Sequence, residues 1–104
     1  MDNREQIERI TKYEAMMDRV AASNRALERV LDLFEKTEGM RAELSRYLSS
    51  GDWMKDFCDD EEGLLPKDLK RGVLSEDGLY DTLNQRHDLC GRMLRVGKAY
   101  FEKK

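Results

Sequence analysis

Apolar residues recur through the first third of the chain at helical spacing. Ile10, Tyr13, Met17, Val20, Asn24, Leu27, Leu31 and Phe34 follow one another at alternating steps of three and four. That is the a/d pattern of a coiled-coil-like seam, with Asn24 as its polar interior member. Ile7, Met16 and Val30 widen the stripe, which suits a helical bundle better than a bare two-stranded coil. Asp2 or Asn3 is placed to cap this helix, with Glu5 and Gln6 close behind. Around Thr37-Glu38-Gly39 the phase changes, and Val30, Leu33, Met40, Leu44 and Tyr47 continue on a seam shifted by one residue. The pattern predicts a helix over about 3–50 that either runs on with a local overwinding or, the favoured alternative, breaks at 37–40, near Gly39.

From Glu76 to about Phe101 the spacing is helical again. Tyr80, Leu83, His87, Cys90, Leu94, Gly97 and Phe101 form one seam, and Leu89, Met93, Val96 and Tyr100 a second. Both are expected to be buried, His87 and Cys90 included. No stretch alternates as a strand would. The expectation is an all-α fold, an antiparallel helical bundle of two long helices joined by an ordered connector with short helical turns.

That connector, 51–75, is punctuated throughout. Gly51 can take a left-handed conformation and end a helix, after which Asp52 can cap a short new turn. Trp53 and Phe57, four apart, put two aromatics on one face. Pro66 suits the first position of another turn, Lys67 to Arg71, which Gly72 would close. Ser75 reads as the N-cap of the last helix, with Glu76 and Asp77 in its first turn and Leu74 and Leu79 as a hydrophobic staple. Trp53, Phe57, Leu65, Leu69 and Leu74 give the connector its own apolar anchors, so it is expected to be as ordered as the helices.

The string Trp53-x-x-Asp56-Phe57-x-x-Asp60-Glu61-x-Gly63-x-Leu65-Pro66-x-Asp68-Leu69-Lys70-Arg71-Gly72-Val73-Leu74-Ser75-Glu76-Asp77-Gly78-x-Tyr80 resembles a small bacterial family known as a domain of unknown function, DUF4298. The resemblance covers essentially the whole chain, its flanks matching only as amphipathic helix. One departure is Leu48, where a second tyrosine would be expected after Tyr47. The resemblance implies a compact helical protein of bacterial type and supplies no activity.

Composition narrows the classes. A chain of 104 residues makes one domain with a thin core. Charged residues are 39%, but the signs are mixed and the apolar residues periodic, which argues against disorder. Residues 51–75 carry four basic and seven acidic groups, so the connector holds the whole net charge of −3. No basic face is expected, which speaks against nucleic acid as a partner. No apolar run reaches the length of a membrane span, and the opening Met1-Asp2-Asn3-Arg4-Glu5 is not a signal peptide. The expected home is the cytoplasm, with Cys58 and Cys90 reduced.

Candidate chemistry is sparse. The acids Asp59, Asp60, Glu61 and Glu62, with Asp56 nearby, lack the alternating ligands and closing Glu of a calcium loop. They are expected to be solvated, to cap turns, or to pair with Lys70 and Arg71. His87 and Cys90 share a helical face and Cys58 would be a third ligand, but structural zinc wants four, so no metal or other cofactor is expected. A thiol nucleophile would need His87 and an orienting acid, and no P-loop, G-x-S-x-G or G-x-G-x-x-G is present. Lys70 and Arg71 ahead of Gly72 and Ser75 can in principle hold a phosphate, but with so much acid nearby Arg71 is expected to grip a carboxylate. The favoured reading is a protein-interaction or structural module without catalytic activity, acting on an unknown protein partner or on itself. Because the first helix would outreach the last, a homodimer through the first helix is expected. The competing reading is a small enzyme or ligand-binding protein using His87, Cys90 and the connector acids.

Overall fold

The computed structural model describes residues 2–103, apart from the side chain of Glu76. Four α-helices follow in order, α1 (Arg4–Lys36), α2 (Glu38–Leu48), α3 (Gly51–Glu61) and α4 (Glu76–Lys103), with a single 3-10 turn (Gly72–Leu74) before the last. The described residues contain no strand. The fold is all-α, with long helices at both ends and shorter ones between.

α1 is 33 residues free of glycine and proline. At its start Asn3 stands at the cap position without using its side chain, and Asp2 Oδ1 accepts the Arg4 N–H at 3.0 Å instead. Its end is made by Thr37. The Thr37 hydroxyl donates to the carbonyls of Leu33 and Phe34, each at 3.1 Å, and ψ opens to 0°. A hydroxyl that competes for the helix's own carbonyls in this way interrupts the ladder. The interruption therefore lies at Thr37, and Gly39 is simply the second residue of α2.

Between α2 and α3 the structure departs from the expected caps. Gly51 does not end a helix in the left-handed region. It opens α3, and Ser50 is the N-cap, extended at ψ 159°, its Oγ accepting the Trp53 N–H at 3.2 Å. The same Oγ donates to the Tyr47 carbonyl at 2.7 Å, so one hydroxyl closes α2 and opens α3. Asp52 is left in the first turn, where its charge suits the helix dipole. α3 runs three turns rather than one and takes Asp59, Asp60 and Glu61 into its last turn.

Gly63 ends α3. Its φ of +75° is the only positive value among the described residues. Its N–H donates to the Asp60 carbonyl and that of Leu64 to Asp59, both at 3.0 Å, the paired bonds of a Schellman motif. The proline turn is also shorter than expected. One bond, Leu69 N–H to the Pro66 carbonyl at 3.2 Å, closes it, and Gly72 begins the 3-10 turn instead of ending a helical one. α4 starts as anticipated, with Ser75 Oγ accepting the Gly78 N–H at 3.2 Å.

The chain divides into two compact units, 1–38 and 39–104. The first contains α1 as its only long element, so within that unit its apolar stripe has no second helix to pack on. The second holds the core: Trp53, Leu74 and Leu79 are buried, with Leu44, Tyr47, Leu48, Phe57, Leu65 and Leu83 packed around them. Leu69 and Tyr80, expected to anchor the connector and α4, are exposed.

Ala at position 63 would have to adopt a left-handed conformation, which costs about 1–2 kcal/mol. Nothing crowds the position, so backbone strain alone acts there. Gly63→Ala is expected to lower the stability measured by urea unfolding by that amount, with the m-value unchanged.

Candidate functional site

The motif residues of α3 fall on one face. Trp53, Asp56, Phe57 and Asp60 are spaced at i, i+3, i+4 and i+7, which brings them above one another on a helix. Each makes a different contact. Trp53, 5% exposed, donates its indole N–H to the Val73 carbonyl at 2.9 Å, and its ring lies nearly parallel to Phe57 with centroids 5.2 Å apart. Asp56 Oδ2 accepts the Tyr47 hydroxyl at 2.6 Å, joining α3 to α2. Asp60 Oδ1 lies 3.1 Å from Arg71 Nε, an ion pair that ties the end of α3 to the connector. The Arg71 guanidinium donates in addition to the carbonyls of Lys67 and Pro66, so it also holds the proline turn.

The 3-10 turn completes the arrangement. Val73 offers its carbonyl to Trp53 while Leu74 enters the core, and the Leu74–Leu79 staple carries α4 in beside it. Gly78 sits close under this turn. A Cβ there would stand 3.3 Å from Ser75 Oγ and 3.5 Å from the Gly72 carbonyl. The remaining motif positions are outward: Glu61, Pro66, Asp68, Lys70, Gly72, Asp77 and Tyr80 are exposed. Ser75, also exposed, caps α4, and for Glu76 only its place at the start of α4 is described.

The Tyr47 phenol is pushed up to about 12, chiefly because its proton is shared with the Asp56 carboxylate and then through partial burial. A phenol held protonated this firmly does not serve as an acid or base near neutral pH. Lys55 pairs with Asp59 at 2.9 Å on the outer side of α3.

His87 and Cys90 require a correction. Both are exposed on α4, as is Cys58 on α3, and not buried on a core seam. The contacts of α4 with the core come from its first two turns, through Leu79 and Leu83, and beyond them Leu94 and Phe101 are more than 70% exposed. Among the described residues no group of three His, Cys, Asp or Glu side chains is placed to hold a metal. A shallow hollow of about 470 Å³ runs beside Asp81, Asp88, Arg92 and Arg95, but every residue lining it belongs to α4, so it is a groove along one helix and encloses nothing.

The face of α3 and the connector that it clasps are the parts of the chain richest in distinctive residues, and they coincide with a described family. The model of the domain of unknown function DUF4298 matches residues 10–96. The chain belongs to that family. No curated protein and no solved structure matches it. The match takes in most of α1, all of α2 and α3 and three-quarters of α4, so the DUF4298 domain includes the long helices as well as the clasp. Sequence reasoning missed Ser50 and Gly63 as the residues that bound α3. Ser50 carried a legible signal, a serine three residues before the tryptophan amide that it caps.

Trp53→Ala removes the largest buried side chain of the core and is expected to cost about 3–5 kcal/mol. Trp53→Phe keeps most of the apolar volume but leaves the Val73 carbonyl without its donor, at about 1–2 kcal/mol. Urea unfolding of both variants checks the ranking. The raised Tyr47 value has a definite sign. Its contribution to stability is whole below pH 10, the ordinary phenol value, and is lost as pH rises from there through about 12. Tyr47→Phe is expected to be less stable at neutral pH and to lose that alkaline decline, and a tyrosinate absorbance titration should show one group near 12 that vanishes in the variant.

Proposed function

We propose that this protein is a non-catalytic interaction module of the bacterial cytoplasm, working by presenting helix faces from a scaffold that the clasped connector keeps rigid. The single observation that carries the reading is the seam of α1, where Ile10, Tyr13, Met17, Val20 and Leu27 each expose more than half of their surface in a unit with no second helix. Soluble proteins rarely leave an apolar stripe of this length uncovered, since each exposed CH₂ forgoes about 0.8 kcal/mol of burial. The motif residues support the same reading, because their contacts build the scaffold. No helix of the described residues is long and apolar enough to cross a membrane. The competing reading is a small enzyme or ligand binder using His87, Cys90 and the connector acids, and among the described residues no three such groups are gathered to hold a metal.

A photo-crosslinking amino acid placed at Val20 in the full chain, expressed in bacterial cells, is expected to capture polypeptide. The same probe at Arg29, on the polar side of α1, is expected to capture little. Equal capture at both positions, or none at Val20, overturns the reading, and capture should survive His87→Ala and Cys90→Ser.

A further inference from the structure

We infer that the partner of α1 is α1 of a second copy, paired parallel and in register, with Asn24 facing Asn24. The inference rests on the helix-presenting reading above and goes further by naming occupant and orientation. With Ile10 at a and Tyr13 at d, the seam places Asn24 at an a position and Leu27 at the d that follows. The heptad fixes the flanks as well. Arg9, Met16, Ser23 and Val30 fall at g positions, Glu14, Ala21, Glu28 and Glu35 at e positions.

Orientation then follows from what each arrangement brings together. In a parallel pair each g residue meets the e residue five places on in the other copy. Arg9 meets Glu14, opposite in charge, Met16 meets Ala21, both apolar, Ser23 meets Glu28 and Val30 meets Glu35, so no like charges face each other along the seam. The a layer puts Asn24 against Asn24, where the two side-chain amides can each donate to the other. An antiparallel pair centred on the same seam gives the reverse. Glu14 comes beside Glu28 twice over, and Asn24 faces Val20, which leaves a desolvated amide without a partner. The apolar layers are served equally by both arrangements, so charge and the one polar layer decide for the parallel pair.

The test uses the full chain. Sedimentation at tens of micromolar is expected to give twice the chain mass of 12.2 kDa. Leu27→Glu adds a carboxylate beside Glu28 in each copy, so four negative charges surround one layer of the pair. It is expected to raise the dissociation constant at least roughly a hundredfold. Trp53 emission reports that the core at 39–104 remains folded in that variant. Orientation is read with Gln6→Cys, a d position in the first turn, in a chain carrying Cys58→Ser and Cys90→Ser. In a glutathione redox buffer a parallel pair links the two introduced thiols, whereas an antiparallel pair holds them about 48 Å apart and does not. Asn24→Val is expected to tighten association while lowering the fraction of that disulfide, because the layer that selects register has gone. A mass of one chain, a dimer indifferent to Leu27→Glu, or a dimer in which the introduced thiols stay unlinked each overturns the inference. None of these results touches the helix-presenting reading, which falls only on the outcome of crosslinking at Val20 in cells.

Discussion

The hydrogen bond from the Trp53 indole to the Val73 carbonyl is the contact on which the core at 39–104 turns. A buried indole N–H without a partner would cost free energy of the same order as the burial gains. A main-chain carbonyl from the connector is what satisfies it. That requirement fixes the 3-10 turn over α3, and the turn in its place delivers Leu74 to the core and Ser75 to the start of α4. Asp60 and Arg71 secure the other end of the same loop. The connector is therefore ordered from inside, by what its backbone does for a side chain of α3.

Much of this is legible in the residue pattern, and the exceptions have physical causes. Trp53, the Leu74–Leu79 staple and the Ser75 cap are local signals, decided within a few residues, and local signals read well. Gly51 and Gly63 show the limit. Both are glycines beside helical stretches, and left-handed backbone is open to either, so the choice depends on which neighbour can satisfy free main-chain groups. Ser50 reaches the Trp53 amide and makes Gly51 an ordinary first helical residue, and that leaves Gly63 to end α3. The interruption falls at Thr37 rather than Gly39, with the Thr37 hydroxyl bonded to two carbonyls of the preceding turn.

His87 and Cys90 escape the pattern for a different reason. Periodicity says which residues share a face, and it does not say whether anything lies against that face. The seams of α4 are real along their whole length, but the buried part stops near Leu83, where the connector ends its contact with the helix. The same distinction applies to α1, whose Ile10, Tyr13, Met17, Val20 and Leu27 are exposed in a unit that has α1 as its one long element. The pattern records a demand for burial, and for α4 the core at 39–104 answers it only over its first two turns. In this chain Trp53, Asp56, Phe57, Asp60 and Arg71 are buried or paired in the clasp, while Glu61, Asp68, Lys70 and Asp77 are exposed.

The position of the only tryptophan has a spectroscopic consequence. Its emission reports one small core within 39–104, stacked on Phe57 and tied to Val73. Far-UV ellipticity, by contrast, draws a large share of its signal from the 33 residues of α1. The two probes sample parts of the chain stabilised by different contacts, and coincidence of probes is the ordinary criterion for a two-state transition. Melting curves followed at the two wavelengths should separate, and the gap between them measures how far the long first helix folds on terms of its own.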